Sequence, residues 1–291
     1  MGTLQVTGPG GRRLDVEVYG PRDGDAVIFQ TGTPMVGTLF APLIDAGTDR
    51  GLRHVAYSRP GYARSERAVG PSVAGCAADV AAVADRLGIE RFFTVGWSGG
   101  GPHALATGVL LPERVIAVAT LASPATRHAE GLDWSSGMGA ENLEEFEAAD
   151  AGEDKLEAYL AEHSPELSHA GGADLHAALG DLLSEVDRSV LTGDFADYLA
   201  VCTRAALEHG FWGWFDDDLA FVRGWGFDLG ANSVPVAIWH GGQDRFVPFS
   251  HGAWLAEHVT GAHPHLHPEH GHLSLAIGSY GDVLDHLRAV A

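Results

Sequence analysis

The chain has 291 residues, 45% of them hydrophobic, enough for a sizeable core, and its net charge of −21 repels nucleic-acid phosphates and anionic lipid surfaces. Its two cysteines, Cys76 and Cys202, lie far apart and in no C-x-x-C spacing, which argues against a disulfide framework or a cysteine zinc site and fits a reducing cytosol. No apolar run approaches the roughly 18 residues of a membrane span, and MGTLQVTGPGG is not a signal peptide, so a soluble, cytoplasmic protein with a small-molecule substrate is expected.

The first third alternates short apolar runs with helical patterns. LDVEVYG (14–20) alternates in period two, and the GPGGR turn before it predicts a hairpin. AVIFQT (26–31) and RHVAYS (53–58) read as buried strands, with a helix over 38–49 between them. Residues 73–87 place Val73, Cys76, Ala77, Val80, Val83, Ala84 and Leu87 on one helical face. FFTVGW (92–97) is a third buried strand, GGGPHALATGVLL is helical, and RVIAVATLA (114–122) is another strand. Continuous apolar strands alternating with helices predict an α/β fold, a mostly parallel, doubly wound sheet covered on both faces.

That rhythm stops at Ser123-Pro124. Residues 124–232 carry 23 Asp/Glu against 5 Lys/Arg, which places −18 of the −21 there, and their pattern is helical. The simplest reading of those acids is a solvated helix surface. The rhythm returns with VPVAIWH (234–240), a helix from about 250 to 259, a strand near 263–268 and one closing helix from 273. The expected organisation is one core in two parts, 1–123 and 233–291, with a helical acidic cap inserted at 124–232.

GWSGG (96–100) sits where a buried strand gives way to a helix, the context of a G-x-S-x-G nucleophile elbow with Ser98 at its apex. The turn is so tight that side chains two residues either side of the serine would clash. A serine attacks well only with a histidine base, itself oriented by a carboxylate. HGGQDRFVP puts Asp244 in the loop after strand 234–240, where functional side chains of parallel sheets gather. An oxyanion needs two backbone N–H donors; position selects Gly99, after the serine, and Thr33 in the TGTP loop.

With these residues the chain resembles the α/β-hydrolase fold superfamily, specifically its capped serine hydrolases of actinobacterial type. GWSGGGPHALA, WHGGQDRFVP and HGHLS are similar to its nucleophile, acid and histidine segments, and DDDLAFVRGWGFDL (216–229) to the return from the cap. RPGYARS (59–65) resembles its D-R-P-G-x-G-x-S turn, with Ser58 and Ala63 in place of the Asp and second Gly. Thr31 stands where the H-G-x-P oxyanion loop has its His. The resemblance implies a Ser98–Asp244–His272 triad cleaving an ester, amide or similar acyl bond without a cofactor. An aminopeptidase, a carbon–carbon-bond hydrolase, or a ligand-binding protein with little turnover stays open on the same scaffold. Trp97 either lines the pocket or packs in the core, and two or three cap aromatics, from Trp212, Trp214 and Trp225, are expected to face the cleft. His103, on the helix after Ser98, reads as a packed position.

HPHLHPEHGH (263–272) holds five histidines. In a strand His263, His265 and His267 share one face, but same-face neighbours lie about 6.6–7 Å apart, too far to converge on one ion. A strand edge and no metal is the expectation. Of His270 and His272, the family's G-H-L-S pattern selects His272 as base.

Overall fold

The computed structural model describes residues 2–70 and 72–291. Eight strands form one sheet in the order β1-β2-β4-β3-β5-β6-β7-β8. β1 (Gly2–Thr7) and β2 (Arg13–Tyr19) make the antiparallel hairpin, and β2 runs antiparallel to β4 (Leu52–Tyr57). β3 (Asp25–Gln30), β4, β5 (Phe92–Trp97), β6 (Val115–Leu121), β7 (Val236–Gly241) and β8 (Ala262–His267) are parallel, so their carboxyl ends lie at one edge. All six residues of β5 and of β7 are buried, as expected where helices cover both faces.

The strand period of two sorts the core into two layers. Val27, Phe29, Val95 and Trp97 pack on the side of α1 (Ala41–Thr48) and α12 (Tyr280–Ala289). Ala26, Ile28 and Phe92 pack against α2 (Cys76–Arg86), α3 (Gly100–Leu110) and α10 (Phe249–His258). Three expected helices differ in extent. The first begins at Ala41, with Pro42 in its opening turn, where a missing N–H costs nothing. The second opens as a 3₁₀ turn over Val73–Gly75 before α2. The closing helix is two, α11 (His272–Gly278) and α12, parted at Ser279.

Between β6 and β7 the chain is helical, without a strand among the described residues: α4 (Ala140–Ala151), α5 (Glu153–His169), α6 (Leu175–Ala178), α7 (Glu185–Val190), α8 (Gly193–Leu207) and α9 (Trp212–Val222). Leu156 and Leu160, one turn apart on α5, are wholly buried and contribute about 1.5–3 kcal/mol each. No helix is long and apolar enough to cross a membrane among the described residues.

Candidate active site

β5 ends at Trp97 and α3 starts at Gly100, leaving Ser98 in a two-residue turn with φ +54°. For a residue with a Cβ that left-handed conformation costs about 1–3 kcal/mol, and such strain gathers at functional sites. The neighbouring glycines make the turn possible: a Cβ on Gly96 would lie 2.3 Å from the Gly100 carbonyl oxygen, and one on Gly100 2.0 Å from that of Gln30. Ser98 is half-buried and stands at the N-terminal end of α3.

The loop after β7 buries Asp244. Its Oδ1 accepts the N–H groups of Phe246 (2.9 Å) and Val247 (2.8 Å), and its Oδ2 accepts from His272 Nδ1 at 2.8 Å. A proton on Nδ1 leaves Nε2 as the acceptor. The imidazole stacks on Phe246 at 4.5 Å, with the Trp97 ring 5.9 Å away. His272 and Ser98 both line a small lobe of about 100 Å³, with Thr33, Trp97 and Phe246. Among the described residues no hydrogen bond joins Ser98 to His272; they meet as walls of that lobe. Thr33, Ser98 and Gly99 also line a larger lobe of about 290 Å³ reaching under α4, α5 and α9. The Thr33 and Gly99 amides donate to no group among the described residues.

Two buried acids from the helical segment hold these loops, and sequence reasoning missed both. Asp187 of α7 accepts the N–H groups of His272, Leu273 and Ser274, each at 2.9 Å, and the Ser184 hydroxyl, also at 2.9 Å. It therefore ties down the first turn of the helix that carries His272. A Cβ on Gly271 would come within 2.3 Å of Asp187 Oδ2, which explains the glycine between His270 and His272.

Asp217 of α9 pairs with Arg59 at 2.6 Å, both buried, and accepts the hydroxyls of Thr33 (2.7 Å) and Tyr62 (2.8 Å). Arg59 donates to the carbonyl oxygens of Thr31 (2.5 Å) and Gly32 (3.1 Å), so the pair fixes the TGTP loop. Burial alone would raise the Asp217 carboxyl; the Arg59 charge and the hydrogen bonds Arg59 donates, with His103 nearby, outweigh it and hold the carboxyl below its usual range. The only sequence signal was the R-P-G turn, which carries no hint of its partner. Ala63, where the family's turn has Gly, adopts φ +47°.

The predicted pocket aromatics divide. Trp97 lines the small lobe and Trp214 the large one. Trp212 does not reach the cleft: it stands two residues, about 200° of helix, from Trp214, and its ring carries the Arg67 guanidinium at 4.3 Å. Trp225 does not reach it either, because α9 has ended and the chain has crossed to the other core layer, where Trp225 stacks on Phe227 at 5.8 Å. His103 is buried on α3, 3.6 Å from Asp217, and lines neither lobe. On the edge strand β8, His265 stacks on Trp239 at 4.0 Å and His286 of α12 packs against His263 and His265. The group that brings three ligand-type atoms close together among the described residues is instead His267, Glu269 and His270.

The family model for the alpha/beta hydrolase fold matches residues 25–277. The chain belongs to the α/β-hydrolase fold family. This α/β-hydrolase is 34% identical over 104 residues to a Variovorax paradoxus protein named carbamate hydrolase RutD, a match spanning 35% of this chain and only 39% of that protein. It is 27% identical over 259 residues to the non-heme chloroperoxidase of Streptomyces lividans, covering 87% of this chain and 86% of that one. The crystal structure of the enol-lactonase from Burkholderia xenovorans superposes with a TM-score of 0.71 at 16% identity, over 98% of this chain and all of that one.

Proposed function

We propose that this α/β-hydrolase is a serine hydrolase that cleaves an ester, amide or similar acyl bond of a small, partly apolar compound through an acyl-enzyme. The observation that carries the reading is a strained serine sharing one lobe with a histidine whose other nitrogen is bound to a buried carboxylate. His272 Nε2 takes the Ser98 proton as Oγ attacks the acyl carbon. Asp244 fixes the tautomer and steadies the imidazolium that forms. The Thr33 and Gly99 amides receive the oxyanion, and His272 then passes its proton to the leaving group. Water, deprotonated by the same imidazole, frees the acid and restores Ser98. The loss of the family's oxyanion-loop His at Thr31 leaves this scheme intact, because the donors are backbone groups and Arg59 braces the loop that carries Thr33.

Residues 124–232 serve in this reading as a cap over the cleft. The carbamate hydrolase and enol-lactonase names among similar proteins fit an acyl bond as the one broken. A fluorophosphonate probe tests the nucleophile: it should label wild type and leave Ser98→Ala unlabelled. Unlabelled wild-type protein, together with no Ser98-dependent turnover on an ester and amide panel, would point instead to a ligand-binding protein on this scaffold.

A further inference from the structure

Among the described residues seven acidic side chains are buried, and six of them receive a donor or a cation from the protein. Asp79 pairs with Arg12, Asp216 with Arg67 and Asp217 with Arg59. Asp187 accepts three backbone N–H groups, Asp244 accepts two and His272, and Glu145 accepts the Trp214 indole N–H at 2.8 Å. Asp218 is 1% exposed, no N–H or hydroxyl group among the described residues donates to its carboxyl, and its polar neighbour is the Glu145 carboxyl. It lines the larger lobe with Ser98 and Glu145. A buried carboxyl with only a second carboxyl beside it costs several kcal/mol when charged, so a fold that gives a donor to each of the other six leaves this one for a cation that enters the cavity.

The chemistry of that guest follows from the walls. Glu141, Glu145, Glu166 and Asp218 line the lobe, and among the described residues neither Lys nor Arg does; its one basic group there is His163, stacked on Tyr159 at 4.1 Å. Burial pushes the Glu145 carboxyl up to about 7, and burial together with the Glu145 charge raises Asp218 well above its usual range. The two carboxyls share a proton between them, and a cation could take its place. Trp134, Phe146, Tyr159 and Trp214 also line the lobe, and aromatic walls favour an organic cation over a hydrated metal ion.

We propose that Glu145 and Asp218 bind the ammonium group of an amine-bearing acyl substrate, whose acyl carbon then lies at Ser98. This deepens the serine-hydrolase reading and rests on it for the position of the reacting carbon, although the cation site itself does not. The ammonium N–H groups donate to Asp218 and to the free lone pairs of Glu145, and the aromatic rings face the chain.

The test separates site from chemistry. Calorimetry with n-butylammonium, and with n-butanol as its uncharged isostere, is run above neutral pH on wild type, Ser98→Ala, Asp218→Asn and Glu145→Gln. Wild type and Ser98→Ala should bind the ammonium roughly tenfold or more tightly than the alcohol, and Asp218→Asn and Glu145→Gln should lose that preference. Equal binding in wild type overturns the proposal, even should the variants fail to fold. In parallel, p-nitrophenyl esters of ω-amino acids are compared with alkanoate esters of the same length. Faster kcat/KM for the amino series, abolished in Asp218→Asn, supports the substrate class. Turnover of both series alike, with no ammonium preference, sinks the cation site and leaves the hydrolase standing. Ammonium binding with no ester turnover does the reverse.

Discussion

The strand-end loops and the acidic helices contribute to the cleft in different ways. The loops carry Ser98, Asp244, His272 and the Thr33 amide, each presented by a turn whose geometry the local sequence dictates. The helices contribute acids that reach down onto those loops: Asp187 onto the His272 turn, Asp217 onto Arg59 and Thr33, and Asp218 with Glu145 into the cavity. Most acids of residues 124–232 are the solvated surface that composition suggests. The buried few differ, because a carboxylate out of water persists only where a cation, an N–H cluster or a ligand answers it.

The sharpest way to break this division is to delete the chemistry and leave the supports. Ser98→Ala and His272→Ala should each lower kcat by about 10⁴-fold or more, with the melting temperature little changed in Ser98→Ala, while His270→Ala keeps turnover. A His270→Ala enzyme as dead as His272→Ala would reassign the base.

Deleting the supports should do the opposite. Asp217→Asn strands the buried Arg59 charge and should cost about 3–5 kcal/mol in urea unfolding. Asp216→Asn, whose partner Arg67 keeps contact with water, should cost about 1 kcal/mol. Asp187→Ala leaves three buried amides unpaired, at about 1–3 kcal/mol each, and should lower kcat more than it raises KM because the His272 turn loosens. Equal stability losses for Asp216→Asn and Asp217→Asn would remove the distinction between an acid whose arginine partner reaches water and one whose partner is buried.

Two histidines of the sheet layers and one acid of the helical segment respond to pH with opposite sign. In the sheet layers His54 is held by burial down at about 4 and His251 at about 3. The folded state therefore keeps them neutral, and stability from this source is full above about pH 6.5 and is lost as pH falls toward those values. In the helical segment Glu145 sits at about 7 against an ordinary 4.5, so its contribution is present at low pH and is lost as pH rises from 4.5 to 7. Between about pH 5 and 6.5 the two effects oppose one another, with the two histidines outweighing the one acid. Glu145→Gln should then steepen the acid-side loss of stability by about 1.4 kcal/mol per pH unit, read from urea midpoints. A slope unchanged from wild type would contradict it.

The smallest effect separates the tryptophans. Trp214→Ala should raise KM for an aromatic ester by several-fold, while Trp212→Ala stays within about twofold; a larger change at Trp212 would put it back in the cleft.

The same comparison explains what could be read beforehand. Buried strands, the tight turn at Gly96–Gly100 and the H-G-H pair are local, because the constraint and the residues that satisfy it lie within a few positions. Asp187 and Asp217 answer groups 85 and 158 positions away, and nothing in their neighbourhoods sets them apart from the other acids between 124 and 232. Asp216, Asp217 and Asp218 are adjacent and chemically identical, yet helix rotation sends them to Arg67, to Arg59 and into the cavity. The misplaced Trp212 and Trp225 have the same origin: composition gathers aromatics, but only the end of α9 and the crossing that follows decide which face the cleft.

The bonds between Asp187 and the His272 turn, and between Asp217 and Arg59, also bear on how freely this chain could be recombined with others. A chimaera that took residues 124–232 from another protein would leave three bare amides over His272–Ser274 and an unanswered guanidinium at Arg59, unless the donor sequence brought its own acids to the same two points. The helical segment is removable by its position in the chain, but not by its wiring.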